Sequence, residues 1–535
     1  MKTMINSIIL ASCLALPLAS CSDSDAAPEQ KDWSTTTYFN SSDAAAQDTY
    51  YKPAVGYVGD PMPFFDPVAG DFKVLYLQDF RPNPEGTYHP IWGVSTKDAA
   101  HYTALGELVS CGTLKSQDAA IGTGSTIYDE ASKLYYTFYT GNKYKPTGDE
   151  SAQVVMVATS ADFKTWTKDR TFLLKGQDFG YDKNDFRDPF VFKGDDGKFH
   201  MLISTKKGGK GSLAEFVSDD LKNWTDNGVF MTMMWDRFYE CPDLFKMGDY
   251  WYLVYSEIHH AVRRVQYFKG RTLDELKACT ANDVARWPDA HEGFLDSRGL
   301  YAGKTASDGT NRYLWGWCPT RSGKDNTAVG ASPAEPEWAG NLVCYKLIQH
   351  EDGTLTLGQV DAVSEKYNQD VAVEVKESQN MTEADGTYTL AGSVGQPDAY
   401  MLMGRLGSHN KISFTVTTSN EWDKFGISMV RGSDSKKYYT MVVNPENENN
   451  RKVNFEEQGV EGKGFIAGID GYVFARPADN VYNITIYTDN SICVMYINDV
   501  CSYTNRIYGI QKNCWSINSY NGANVKISNL KISQY

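Results

Sequence analysis

Three short stretches set a carboxyl group beside a proline at the threshold of an apolar strand: Gly59-Asp60-Pro61-Met62-Pro63-Phe64-Phe65, Arg187-Asp188-Pro189-Phe190-Val191-Phe192 and Glu240-Cys241-Pro242-Asp243-Leu244-Phe245. Pro61 biases Asp60 toward extended backbone, which would fix the direction of its carboxylate. The Arg187-Asp188 pair abuts an apolar strand, an arrangement that is costly unless the charges are paired or used. Glu240, between aromatic residues and Cys241, is expected in a poorly hydrated site, where desolvation keeps a carboxyl protonated and able to donate. Each stretch has a bland alternative: Asp-Pro is common in turns, Arg-Asp makes structural salt bridges, and a buried glutamate bonds to arginine. Together they supply what hydrolysis of a glycosidic bond with retention requires. That chemistry uses two carboxyl groups about 5 to 5.5 Å apart, one as nucleophile and one as general acid and then base. A third carboxylate can offset the positive charge of an oxocarbenium-like transition state. Asp66-Pro67 competes with Asp60 locally, but its Gly70-Asp71 context reads as a hairpin turn.

These groups lie far apart in the chain, so the fold must bring strand starts together. From about residue 50 the sequence runs as short strand-like segments split by Gly, Asn and Asp, including 72–78, 134–139, 154–159, 199–204, 250–256 and 313–317. Helical periodicity is nearly absent, with 273–279 the best short candidate. A repeat accompanies the strands. Ser160-Ala161-Asp162-Phe163-Lys164-Thr165-Trp166 and Ser218-Asp219-Asp220-Leu221-Lys222-Asn223-Trp224 share a Ser-x-Asp-x-x-x-aromatic turn, and Ser95 with Asp98 and Tyr102 gives a looser copy. The spacing approximates one four-stranded propeller blade. The expected fold is therefore all-β: a five-bladed β-propeller over 49–357, then a β-sandwich over 358–535, where alternating strands return without carboxylate-rich motifs.

Composition narrows the partners. A formal net charge of −15 opposes binding to a phosphate backbone, so nucleic acid is an unfavourable partner, whereas a neutral oligo- or polysaccharide is indifferent to it. The 34 tyrosines and 12 tryptophans suit a β-rich fold or a sugar-binding surface. Residues 1–20 read as an export signal, and Leu18-Ala19-Ser20-Cys21 resembles a bacterial lipobox, with Cys21 the acylated residue. Residues 21–48 read as a flexible tether. The expected location is the envelope of a Gram-negative bacterium, as an outer-membrane lipoprotein held by its lipid only, and the acidic residues after Cys21 resemble the surface-export signal of some such lipoproteins. Of ten cysteines, Cys13 and Cys21 belong to this segment, and the other eight could pair in an oxidising compartment, although a chain this large does not need such staples. No zinc-like spacing is present, so no metal and no cofactor are expected, and the molecule is expected to be a monomer.

In order and spacing, Gly-Asp-Pro at 59–61, Arg-Asp-Pro at 187–189 and Glu-Cys-Pro-Asp-Leu-Phe at 240–245 resemble the three signature motifs of glycoside hydrolase family 32, the invertases, inulinases and levanases. The resemblance covers the chain from about residue 50 to its end and implies the propeller-plus-sandwich fold. It makes Asp60 the nucleophile, Asp188 the transition-state stabiliser and Glu240 the acid/base. It also points to Gln78, Trp92, Ser125, Arg187, Tyr301 and Trp317 around the sugar, although core packing is the plainer role for each aromatic residue taken singly. Two departures stand out. Gly59 and Met62-Pro63 replace parts of the family's Asn-Asp-Pro-Asn-Gly, and Gly299 stands where an acidic residue is usual. The implied activity is cleavage of fructosyl linkages through a covalent intermediate. The alternatives are a related glycosidase acting on another furanoside and a non-catalytic glycan-binding lipoprotein.

Overall fold

The computed structural model describes residues 49–80, 88–233, 238–257, 264–279, 293–297, 299–321, 336–393, 399–430, 438–445, 452–458, 472–474, 476–507 and 509–535. Cys21, with the expected signal and tether over 1–48, lies outside the described residues.

The first part of the chain folds as successive antiparallel units. The first comprises β1 (Tyr57–Asp66), β2 (Asp71–Asp79), β3 (Ile91–Thr96) and β4 (Thr103–Val109), and the second β5 (Ala120–Asp129), β6 (Leu134–Asn142), β7 (Gln153–Ser160) and β8 (Thr167–Leu174). The third comprises β9 (Phe186–Lys193), β10 (Phe199–Lys207), β11 (Lys210–Ser218) and β12 (Thr225–Thr232). A fourth holds β13 (Glu240–Met247), β14 (Tyr250–Glu257) and β15 (Arg264–Gly270), and a fifth β16 (Tyr301–Ser307), β17 (Arg312–Arg321), β18 (Pro336–Gln349) and β19 (Leu355–Gly358). Within a unit the second strand is rich in aromatic and β-branched residues and buried along most of its length, as in β6, whereas the last strand, as in β8, is largely exposed. Val58 of β1 pairs with Gly340 of β18, so the first and last units share one sheet.

The repeated turns have one geometry with a shifted anchor. Oγ of Ser160 and of Ser218 accepts from the backbone two residues on, while the aspartate Oδ1 accepts two further N–H groups. In the first copy Thr96, not Ser95, takes that place, with Asp98 Oδ1 accepting from Ala100 and His101. Ala99, Phe163 and Leu221 then share a positive φ of 59°, 59° and 63°. Asp66 likewise closes its hairpin, accepting from the N–H groups of Val68 and Ala69.

Beyond residue 360 the chain forms two antiparallel sheets of eight and seven strands among the described residues. Their apolar faces make a cluster that includes Ile412, Ile427, Met495, Trp515 and Ile527 and continues into Leu253, Tyr255 and Phe268 of the fourth unit. Polar contacts fasten the same junction. The buried Asp296 carboxylate accepts from the Thr504 N–H and hydroxyl and from the Ser502 hydroxyl. Buried Arg506 donates to the carbonyls of Cys318 and Pro319 and to Asn341 Oδ1. Losing these neutral partners would leave the buried Asp296 or Arg506 unsatisfied, so these bonds fix how the parts meet. The eight cysteines from Cys111 to Cys514 are free thiols; packing and hydrogen bonds join the parts.

Candidate active site

The innermost strand of each unit carries one extra residue near its start. Two residues oppose one between Gly59 and Met62, Arg187 and Phe190, Glu240 and Asp243, and Tyr301 and Lys304; between Gly122 and Gly124 a single residue is inserted. These are β-bulges, which re-aim side chains and tolerate proline because the extra residue drops out of the ladder. Asp60, Asp188, Cys241 and Ala302 occupy the equivalent bulge position with φ of 26°, 57°, 51° and 51°. The extended backbone expected for Asp60 is therefore overturned: the bulge outweighs the preference imposed by Pro61. Non-glycine residues held at positive φ store strain that the surrounding sheet must over-determine.

The bulges converge on a cavity of about 220 Å³ lined by Asp60, Thr123, Arg187, Asp188, Glu240, Cys241, Tyr301, His89 and Trp338 among others. Asp60 is held by neutral donors, Thr123 Oγ1 to Oδ2 at 2.8 Å and Trp317 Nε1 to Oδ1 at 3.0 Å. Asp188 is 4% exposed and accepts from the Cys241 N–H at 2.9 Å, and its own N–H donates to Thr140 Oγ1. Burial pushes its carboxyl up to about 6; Arg187 and the Cys241 N–H oppose that rise, and the negative charges of Glu240 and Asp60 add to it. Glu240 accepts from Arg187 Nη2 at 2.9 Å and from the Tyr301 hydroxyl. Its surroundings are thus more polar than an enclosure of aromatic residues. Arg187 also donates to Asp185 at 2.8 Å, approaches Asp188 only to 4.0 Å and lies 3.9 Å from the centroid of the Phe238 ring. The Arg-Glu pair, a bland possibility from sequence, is present and forms one wall of the cavity.

Of the expected sugar-binding residues, Arg187 and Tyr301 line the cavity. Trp317 is fully buried behind Asp60 and packs edge-on to Tyr301 at 5.6 Å, so it orients the carboxylate from the core. Three others are placed elsewhere. Gln78 is buried with Nε2 donating to the Val55 carbonyl at 2.5 Å. Trp92 packs edge-on to Phe80 at 5.7 Å. Ser125 Oγ donates to the Pro189 carbonyl and accepts from the Val191 N–H, both at 2.9 Å, clasping the second unit to the third. The hydroxyl facing Asp60 belongs to Thr123, which sequence reasoning passed over. The signal for it was positional, because Gly122-Thr123-Gly124 opens its inner strand as Gly59-Asp60-Pro61 opens the first. Cys241, His89 and Trp338 also enter the cavity wall.

A model described as the glycosyl hydrolases family 32 N-terminal domain matches residues 50–360. The chain belongs to glycosyl hydrolase family 32. A second model, described as the GH32, BT1760-like, C-terminal domain, matches residues 353–532. An insoluble beta-fructofuranosidase isoenzyme of Arabidopsis thaliana is 25% identical over 54% of this chain and 51% of its own length. A sucrose-6-phosphate hydrolase of Staphylococcus xylosus is 24% identical over 38% and 40%. The chain thus spans about half the length, or less, of these curated relatives. Among solved structures, sucrose-6-phosphate hydrolase from Lactobacillus gasseri superposes with a TM-score of 0.66 at 17% identity, covering 92% of this chain and 93% of that one. Exo-inulinase from Aspergillus awamori gives 0.66 at 15% identity, covering 91% and 98%. These two likenesses are of fold.

The two glycines among the departures from the family 32 pattern, Gly59 and Gly299, have steric causes. A Cβ at Gly59 would lie 2.3 Å from Cη2 of Trp338, so the indole fills the room of the usual asparagine side chain. Trp338 in turn stacks on His89 with ring centroids 4.1 Å apart. A Cβ at Gly299 would lie 1.9 Å from the Thr504 carbonyl oxygen, so a strand of the C-terminal part occupies that position. Gly59→Asn is therefore expected to displace Trp338 and lower kcat/KM about tenfold or more by misplacing the cavity wall. Adding Trp338→Ala to that variant is expected to recover part of the loss in kinetic assays; no recovery would mean that the two residues do not compete for space.

Proposed function

We propose that this chain is a retaining glycoside hydrolase that cleaves fructosyl linkages in fructans or fructosyl oligosaccharides of the levan, inulin or sucrose type. One observation carries this reading: three carboxyl groups reach one cavity from neighbouring strand starts, each in a different electrostatic setting. Asp60, held by Thr123 and Trp317, attacks the anomeric carbon as the bond to the leaving oxygen breaks. Glu240 donates its proton to that oxygen, then takes one from the water that cleaves the fructosyl-Asp60 ester. Asp188, beside the reacting centre, offsets the charge of the oxocarbenium-like transition state. Arg187 and Tyr301 fix the direction of the Glu240 carboxyl.

The five units are read as blades closing into a propeller through the β1–β18 pairing, with the C-terminal sheets as the accompanying sandwich. Envelope attachment through an acylated Cys21 completes the reading and rests on the sequence of residues 1–21.

The test is product analysis on levan, inulin and sucrose side by side. Fructose or fructo-oligosaccharide release is expected from at least one of them. Release of sugar only from another furanoside would move the assignment to a different glycosidase, and binding without product after long incubation would overturn an enzymatic role.

A further inference from the structure

Beneath the carboxyl groups the same five strands supply a second layer. The first residues back in register after the bulges are Met62, Gly124, Phe190, Asp243 and Lys304. Lys304 is 2% exposed. Its Nζ donates to the Gly124 carbonyl at 2.8 Å and lies 5.3 Å from the Phe190 ring centroid, while the Gly124 N–H donates to Met62 Sδ. A buried ammonium is costly unless its charge is compensated. Burial pulls Lys304 below the usual lysine range, and the carboxylates of Asp243, Asp188 and Asp60 act against that fall.

Asp243 shares the layer but has its own partners. Its Oδ2 accepts from both the N–H and the hydroxyl of Thr305 at 2.6 Å, and Arg312, which donates to the same hydroxyl, faces it. Above Lys304 lie three carboxyl groups. Asp60, Asp188 and Glu240 crowd one cavity, and the close bonds of Arg187 go to Asp185 and Glu240.

We propose that Lys304 is a positioning residue, its ammonium serving from one layer below the cavity as a countercharge that, with Arg187, keeps Asp60 and Asp188 ionised together. This rests on the fructosidase reading of the cavity. The groups facing the two aspartates are Arg187 on β9, Glu240, Cys241 and Asp243 on β13, Tyr301 and Lys304 on β16, and His89 across the cavity.

The test is the pH profile of kcat/KM in wild type, Lys304→Gln and Lys304→Met. Glutamine keeps a donor for the Gly124 carbonyl and removes the charge; methionine removes both. Loss of a nearby opposite charge raises a carboxyl pKa by about one unit or more, so the acid limb is expected to move up by that amount in both variants. The loss is then about tenfold below the wild-type limb and shrinks at higher pH, with little change in KM. A Gln variant that keeps the wild-type limb, whatever its plateau, overturns the proposal and leaves Lys304 as a hydrogen-bond donor. Should the Met variant fail to fold, the Gln variant alone decides, and the pH dependence of its pre-steady-state burst reports the same limb at low turnover. A wild type that releases no fructose defeats the enzymatic reading itself; a wild type that does, beside an unshifted Gln variant, defeats only this inference.

Discussion

Asp188→Asn is expected to remove nearly all turnover and to make the protein more thermally stable at pH 7. The carboxyl of Asp188 is buried, and its desolvation raises it from 3.8 to about 6 against the pull of Arg187 and the Cys241 N–H. Between those values the folded state binds a proton that the unfolded state has released, so stability falls as pH rises through the window from about 4 to 6. Above it both states are ionised and the folded state carries the whole penalty, about 3 kcal/mol for a shift of this size. Below it both are protonated and the penalty disappears. Asparagine is neutral at every pH, and its Oδ1 can still accept from the Cys241 N–H. The gain in melting temperature is therefore expected at pH 7 and should vanish near pH 4. Loss of a preorganised charge at the transition state costs about 10²- to 10³-fold in rate. Thermal melts at the two pH values, paired with fructose release, check both halves. A melting temperature at pH 7 no higher than wild type would mean that the ionised Asp188 is fully compensated where it sits. Wild-type turnover in the same variant would remove it from the chemistry.

How far this site is legible in sequence depends on what each residue advertises. Asp60, Asp188 and Glu240 announce themselves because a carboxyl beside an apolar strand is costly and so needs a purpose. Their convergence is legible because strands and turns recur at a nearly constant spacing. The bulges are not legible. An extra residue in one strand leaves the alternation of types intact on either side of it, and the pre-proline preference even pointed the other way for Asp60. Without the bulge, Ser125 reads as the polar residue of its strand; with it, Thr123 is the one that meets Asp60. Gln78 and Trp92 fail for a related reason. Leu77, the residue before Gln78 on the same strand, lines the cavity, and alternation turns Gln78 to the other face; His89, which also lines it, precedes the strand that carries Trp92. The bond between Tyr301 and Glu240 and the clash that keeps position 59 a glycine join residues 61 and 279 positions apart, a separation that no local pattern spans.

Asp60→Ala and Glu240→Ala are expected to fail in different ways, and the difference assigns their roles. The nucleophile is needed whatever leaves, so Asp60→Ala is expected to be inactive on fructosyl substrates with poor and good leaving groups alike. General acid catalysis is worth about 10²- to 10⁴-fold. Glu240→Ala should lose about that factor on sucrose or fructan and far less on a fructoside whose leaving group departs without a proton. With such a substrate the first step stays fast in Glu240→Ala, and the fructosyl-Asp60 ester accumulates because no base activates water. A small anion such as azide needs no base and should release fructosyl azide with retained configuration. In Asp60→Ala the same anion can attack only from the vacated side and yields the inverted product. Alanine is preferred to glutamine at position 240, since Arg187 and Tyr301 both donate to the carboxylate and an amide would present its N–H groups to one of them. Equal losses on both classes of leaving group in the two variants would show that Asp60 and Glu240 act as a structural pair rather than as nucleophile and acid.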